Sequence, residues 1–305
     1  MKISVIGGGP GGLYFALLTK KRRPDIEIDV FEQNRADDTF GFGVVFSDET
    51  LDEFLSADPE SYELIRDSFA YWTDIVVDRH GRRTVIGGNG FAGCSRMTLL
   101  TLLQQRCRDV GVNMHFETRI DVDRLEERFA DSDLIVEAGG VNSPVRDRYR
   151  EAFGATVTEE RNKFAWLGSA TPLDAFTFFF RETEHGLICA HTYQYEEGRS
   201  TWVIETTPEC WQASGFGELD EEANAAALSE IFADELKGHP LIPSGRGRYL
   251  KYARGLASEL LELRAEEALK ISHFLHLRAE VCSETLEEEM SEFGKEDRVG
   301  IVSLM

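Results

Sequence analysis

Gly7, Gly9 and Gly12 stand at G-x-G-x-x-G spacing in "ISVIGGGPGGLYFALL", with Pro10 and Gly11 between the last two. Alone, that spacing is a weak signal, so its neighbours decide. Ile3, Val5 and Ile6 before it read as a short strand, and Leu13 to Leu18 after it as the start of a helix. In such a strand–turn–helix the first glycine permits the tight turn. The second lets backbone approach a pyrophosphate, and the third lets helix and strand pack closely. The helix N-terminus then points bare N–H groups at the anion. A second strand, "IEIDVFE", ends in Glu32, twenty positions past Gly12. A carboxylate there accepts hydrogen bonds from the ribose hydroxyls of an adenosine and repels a 2′-phosphate. This predicts an adenine-dinucleotide site for FAD or NAD, and disfavours NADP in this loop.

The elements that hold this loop change character along the chain. Residues 1–35 read as a βαβ unit. "DETLDEFLSADPESYELIRDSF" reads as two short helices broken at Pro59. "DIVVDRHGRRTVIGG" is hairpin-like about His80-Gly81. "SRMTLLTLLQQRCRDVG" is a helix with Ser95 as N-cap and Gly111 as C-cap. "VNMHFETRI" and "DLIVEAGG" are strands, the second apolar throughout as in a buried parallel sheet. From about 160, aromatic and β-branched runs separated by turn residues predict an antiparallel sheet. "EEANAAALSEIFADELKGH" then returns to helix. From Ala253 the chain reads as helical, with eight acids against one base between Glu280 and Asp297. The predicted fold is α/β, α+β overall: a Rossmann-like nucleotide-binding domain over 1–155 with a small hairpin insertion near 72–90, an antiparallel-sheet substrate domain over 156–246, and a helical acidic tail over 247–305. A simple NAD dehydrogenase repeats βαβ units, so the interrupting antiparallel sheet favours FAD.

Composition sets outer limits. A chain of 305 residues with 42% hydrophobic and 29% charged side chains suits a soluble globular protein with a sizeable core. No run of about 18 apolar residues suggests a membrane span, and the opening strand leaves no room for a signal peptide. Cys94, Cys107, Cys189, Cys210 and Cys282 form no C-x-x-C pair, so neither zinc nor a disulfide framework is expected, and a cytoplasmic location fits. The formal charge of −22 argues against nucleic acid or an anionic membrane as partner. It leaves room for an anionic small molecule met by a local arginine cluster.

Six stretches carry a resemblance: "VIGGGPGGLYFALL", "DDTFGFGVVFSDETL", "GFAGCSRMTLLTLLQQR", "DLIVEAGGVNSPVR", "RNKFAWLGS", and "FTFFFRETEHG" with "AHTYQY". On them the chain resembles the FAD-dependent aromatic hydroxylases of the para-hydroxybenzoate hydroxylase fold. Within these it is most similar to salicylyl-CoA and 2-aminobenzoyl-CoA hydroxylases, and next to a tryptophan hydroxylase of violacein biosynthesis. The resemblance covers about residues 1–245. It implies FAD, reduction by NAD(P)H, and hydroxylation of an aromatic substrate with O2 through a flavin C4a-hydroperoxide, the substrate being an aromatic CoA thioester. It places the FAD pyrophosphate on the loop of Gly7, Gly9, Pro10, Gly11 and Gly12, and the adenosine ribose on Glu32. Arg96, at a helix start, would meet FAD phosphate or ribityl oxygens. Gly43 of "FGFGVVF" would let backbone pass the flat flavin. His191 and Tyr193, alternating on one strand, would point at the substrate ring. No metal and no nucleophile triad is implied.

Two departures stand out. Gly139, before Gly140, occupies the position where most of that superfamily has an Asp serving flavin and nicotinamide nucleotide, leaving Arg146 as a phosphate partner. The Gly-Asp-Ala-Ala-His turn that holds the ribityl chain has no counterpart in 250–305. On that ground weak FAD retention and uncoupled NAD(P)H oxidation are expected. A competing reading is a non-catalytic flavin-fold protein that binds nucleotide or a partner. FAD content separates the two.

Overall fold

The structure, a computed structural model, describes residues 1–157 and 161–243; the expected acidic tail over 247–305 lies outside the described residues. The strands are β1 (Lys2–Ile6), β2 (Glu27–Phe31), β3 (Gly43–Ser47), β4 (Ala70–Arg79), β5 (Arg82–Ser95), β6 (Asn113–His115), β7 (Leu134–Glu137), β8 (Lys163–Ser169), β9 (Phe176–Thr183), β10 (Gly186–Glu196) and β11 (Arg199–Thr206). The helices are α1 (Pro10–Arg22), α2 (Asp48–Ala57), α3 (Pro59–Arg66), α4 (Arg96–Asp109), α5 (Leu125–Arg128), α6 (Pro144–Arg148), α7 (Arg150–Phe153), α8 (Pro208–Ala213), α9 (Glu221–Ile231) and α10 (Ala233–Leu236). They fall into two compact units, Met1–Asp38 with residues 100–157, and Thr39–Leu99 with residues 161–243.

The first unit is built on a parallel sheet of order β6-β2-β1-β7. Ile3 pairs with Ile28 on one side and Leu134 on the other. Ile3, Val5, Ile28, Val30 and Val136 are all buried, which is why these strands read as apolar runs without alternation. Of the predicted 112–120 strand only Asn113–His115 pairs, because Glu117 turns to φ +53 and its N–H goes to the Asn34 carbonyl.

The second unit is a seven-stranded sheet of order β3-β5-β4-β9-β10-β11-β8. Its neighbours are antiparallel except β4 and β9, which run parallel with Val76 opposite Thr177. The β4–β5 hairpin turns at His80 (φ +54) and Gly81 (φ +77), the two positive angles a type I′ turn needs. Through β9 this hairpin is one wing of the large sheet, so it packs in the second unit although it interrupts the first in sequence.

Side chains of the second sheet alternate sharply. Ala165, Leu167, Phe179, Ile188, Ala190, Trp202 and Ile204 point to one face, where Trp211, Leu228 and Phe232 of the helical segment cover them. Trp202 is fully buried, stacked on Phe179 at 5.6 Å and met edge-on by Phe232 at 6.0 Å. Thr207 caps α8 and Asp220 caps α9, each accepting from an N–H in the first turn. The helix predicted after Glu221 breaks at Phe232, whose backbone leaves helical angles.

Candidate dinucleotide cradle and aromatic sheet face

The first unit holds the glycine loop between β1 and α1. Gly7 has φ +109, and its N–H donates to the Phe31 carbonyl at 2.8 Å. A Cβ on Gly7 would run into the Ala138 backbone, and one on Gly12 would run into the Gly7 carbonyl and come within 3.1 Å of Ala138 Cβ. Those two glycines let α1 and β7 close on the turn. Gly9 differs: it is extended (φ −72, ψ 176), and a Cβ there would meet nothing within 4 Å. Open space therefore lies over the start of α1. Gly9 is the N-cap without any side-chain cap, Pro10 and Gly11 open the helix, and its first turn has no acidic residue. These are the conditions under which backbone N–H groups and the helix dipole hold an anion.

Glu32 closes the cradle from the end of β2. Its Oε2 accepts from Gly8 N–H at 2.8 Å, while Oε1 accepts from Asn34 N–H at 2.8 Å and Asn34 Nδ2 at 2.6 Å. The carboxylate thus braces the loop it was expected to serve, half-buried, with Asn34 as a partner that spacing alone did not single out.

The Gly139–Gly140 turn follows β7. Gly140 has φ +78 and both residues are exposed. Gly139 N–H donates to Glu137 Oε1 at 2.5 Å, and a Cβ on residue 139 would lie 2.5 Å from that oxygen. The buried Glu137 carboxyl therefore fills the place where a side chain at 139 would begin. Burial pushes its pKa up, against Ser143, the Gly139 N–H and Arg146, which pull it down. Arg146 is itself buried; it donates to the Val141 carbonyl and to Asp147, both at 2.8 Å. It is a brace of this turn.

In the second unit, the strand face opposite the helices carries Phe164 and Trp166 of β8, Phe176, Phe178 and Phe180 of β9, His191, Tyr193 and Tyr195 of β10, and Val203 and Glu205 of β11. Phe176, Phe178, His191, Val203 and Glu205 are each half-buried. Tyr193 is buried, stacked on Phe176 at 5.6 Å and Trp72 at 6.1 Å, and its hydroxyl donates to the Gly43 carbonyl at 3.0 Å. Burial pushes its pKa up to about 12. Tyr193 is thus a neutral, engaged donor. His191 tilts over Phe178 at 4.9 Å with Nε2 3.4 Å from Glu205 Oε2, and Glu205 Oε1 accepts from Asn162 Nδ2 at 2.6 Å. Burial lowers the His191 pKa and Glu205 raises it, the first effect prevailing.

Gly41 and Gly43 do meet flat rings, and these belong to the protein. A Cβ on Gly41 would come within 2.7 Å of Trp166, and one on Gly43 within 2.5 Å of Tyr195. Arg96 opens α4 directly after β5, and its N–H donates to the Phe42 carbonyl at 2.9 Å.

No family model matches the chain. Among curated proteins it is 40% identical over 261 residues to a salicyloyl-CoA 5-hydroxylase of a Streptomyces species, covering 83% of this chain and 50% of that one. It is 33% identical over 247 residues to protodeoxyviolaceinate monooxygenase of Chromobacterium violaceum, covering 79% and 65%. The chain thus spans between half and two thirds of the length of these relatives. Among solved structures it resembles PqsL of Pseudomonas aeruginosa, described as a probable FAD-dependent monooxygenase, with TM-score 0.55, 18% identity, and 80% of this chain and 73% of that one covered. In sequence over about four fifths of its length this chain is a homologue of salicyloyl-CoA 5-hydroxylase and protodeoxyviolaceinate monooxygenase, and its parallel sheet and mixed sheet are those of the fold it shares with PqsL.

Proposed function

We propose that the chain belongs to an enzyme that hydroxylates an aromatic substrate with FAD, NAD(P)H and O2. The observation that carries this reading is the glycine cradle: an uncapped helix start, open space above Gly9, and the Glu32 carboxylate at its rim. Gly9, Pro10 and Gly11 with the first turn of α1 would take the pyrophosphate, and Glu32 a ribose hydroxyl. FAD supplies two-electron reduction by NAD(P)H and the activation of O2. What the chain itself supplies is binding, orientation and exclusion of water. Arg96 is a further candidate for the anionic part of FAD, as are the Gly43 and Gly139–Gly140 backbones. The aromatic sheet face offers stacking surface to a ring, with His191 beside Glu205 as its polar edge. By analogy with the Streptomyces relative the substrate is an aromatic acyl-CoA, salicyloyl-CoA being the first to test. Reliance on NAD(P)H goes with a cytoplasmic location.

Purified protein with added FAD provides the test. Flavin bound near one per chain, and hydroxylated product formed from salicyloyl-CoA with NAD(P)H, support the reading. Protein that takes up no flavin removes it and leaves a non-catalytic flavin-fold protein.

A further inference from the structure

The aromatic face presents a single line of polar groups, Asn162, Glu205 and His191, running from the end of β8 across β11 to β10. Asn162 Nδ2 donates to Glu205 Oε1 at 2.6 Å, which turns the other carboxylate oxygen toward His191 Nε2 at 3.4 Å. Phe178 holds the imidazole plane from one side. Other polar groups of the face are engaged or held neutral: Thr201 Oγ1 accepts from Gly43 N–H at 3.2 Å. Arg79 and Glu182 pair with each other at 2.6 Å toward the end of β9, the Cys189 thiol is pushed up to about 12 by burial, and the Tyr193 hydroxyl is engaged with Gly43. With Nε2 turned to the carboxylate, Nδ1 is the ring nitrogen left for a second partner.

We propose that His191 is the base that accepts the proton of a ring hydroxyl on the substrate, with Glu205 and Asn162 as the positioning residues behind it. This rests on the monooxygenase reading and narrows its substrate to phenols. The step balances simply. The phenol O–H bond breaks, an N–H bond forms at Nδ1, and the electron pair stays on oxygen. The resulting imidazolium faces the Glu205 carboxylate. A phenolate pushes charge into its ring, which makes the ring carbons better nucleophiles toward an electrophilic oxygen. An imidazole kept neutral by its apolar surroundings is available as acceptor, and the carboxylate behind it stabilises the charged product. The half-buried Phe176, Phe178 and Val203 around it suit a flat apolar ligand with one polar edge.

The experiment uses the full chain with FAD, and no turnover. Salicyloyl-CoA and its 2-methoxy counterpart are added, and the absorption of the bound ring is followed against pH. In the unaltered protein the phenol should bind as phenolate at neutral pH, several-fold tighter than the methyl ether. His191→Gln should bind both ligands about equally, with the phenol neutral. Glu205→Gln should lower the His191 pKa further, seen by NMR of the ring, and raise the pH at which the bound phenol ionises. A purely structural Glu205 would move neither. The same phenolate band in His191→Gln, or none in the unaltered protein, overturns the proposal, as does a protein that holds FAD but binds neither thioester. Absence of flavin binding, read separately from flavin fluorescence, instead overturns the monooxygenase reading, and the proposal with it.

Discussion

Three glycines of one motif do three different things, and the difference is testable. Gly9→Val places a side chain into open space, so the fold should tolerate it while the pyrophosphate loses its approach. Flavin affinity should fall by at least an order of magnitude, with the melting temperature unchanged. Gly12→Ala instead forces a methyl into the Gly7 carbonyl and should cost about 1–3 kcal/mol of stability, as overpacking does. Thermal melts with flavin titrations distinguish the two, and equal effects from both variants would reject this division of labour. Glu32→Ala should weaken flavin binding by about 2–3 kcal/mol, the value of hydrogen bonds to a charged group. Part of that loss comes from the Gly8 and Asn34 bonds that hold the loop. Asn34→Ala measures that part, and should weaken binding less than Glu32→Ala does. The strand–turn–helix that holds the glycines, and the strand that ends at Glu32, were legible from spacing because both are local. Glu137 beneath Gly139 was not legible, since spacing does not tell that a carboxyl two residues back folds under the turn; Glu205 behind His191 was not, since it depends on the register of β10 against β11.

Elements explain the rest of what the sequence did and did not disclose. The βαβ opening, the Pro59 break, the His80-Gly81 turn and the Gly111 helix end each follow from a residue with one favoured backbone geometry. The parallel joining of β4 to β9 spans about a hundred residues, and no local pattern announces it. The aromatic and β-branched runs of β8–β11 did announce a sheet, but not which of its faces the helices cover. Trp202 is the keystone of the covered face, so Trp202→Ala should cost about 3–5 kcal/mol and lower the denaturation midpoint strongly. Tyr193, on the other face, was expected to meet substrate, but its hydroxyl is bound to the Gly43 carbonyl. Tyr193→Phe leaves that carbonyl without its donor, and should cost about 1 kcal/mol of stability. Ligand affinity should stay within a few-fold; a large loss of affinity at unchanged stability would mean that the Tyr193 hydroxyl itself serves the substrate.

At the scale of the whole molecule, 55 acidic against 33 basic residues give a net charge of −22, while the ligands proposed for it are themselves anions. Two fields therefore compete over different distances. The summed charge repels an incoming phosphate from afar, and is screened within about 10 Å at 0.1 M salt. The start of α1, with no acid in its first turn, attracts the same phosphate only within about the length of that turn. Salt should weaken the long-range repulsion far more than the short-range capture. Association of FAD with the apoprotein should therefore speed up as salt rises from about 10 to about 150 mM, the reverse of a site reached through a basic surface. Stopped-flow quenching of flavin fluorescence reads this directly. An association rate that falls with added salt would mean that the field along the approach is positive despite the net charge, so that basic side chains, and not the helix start alone, draw the dinucleotide in.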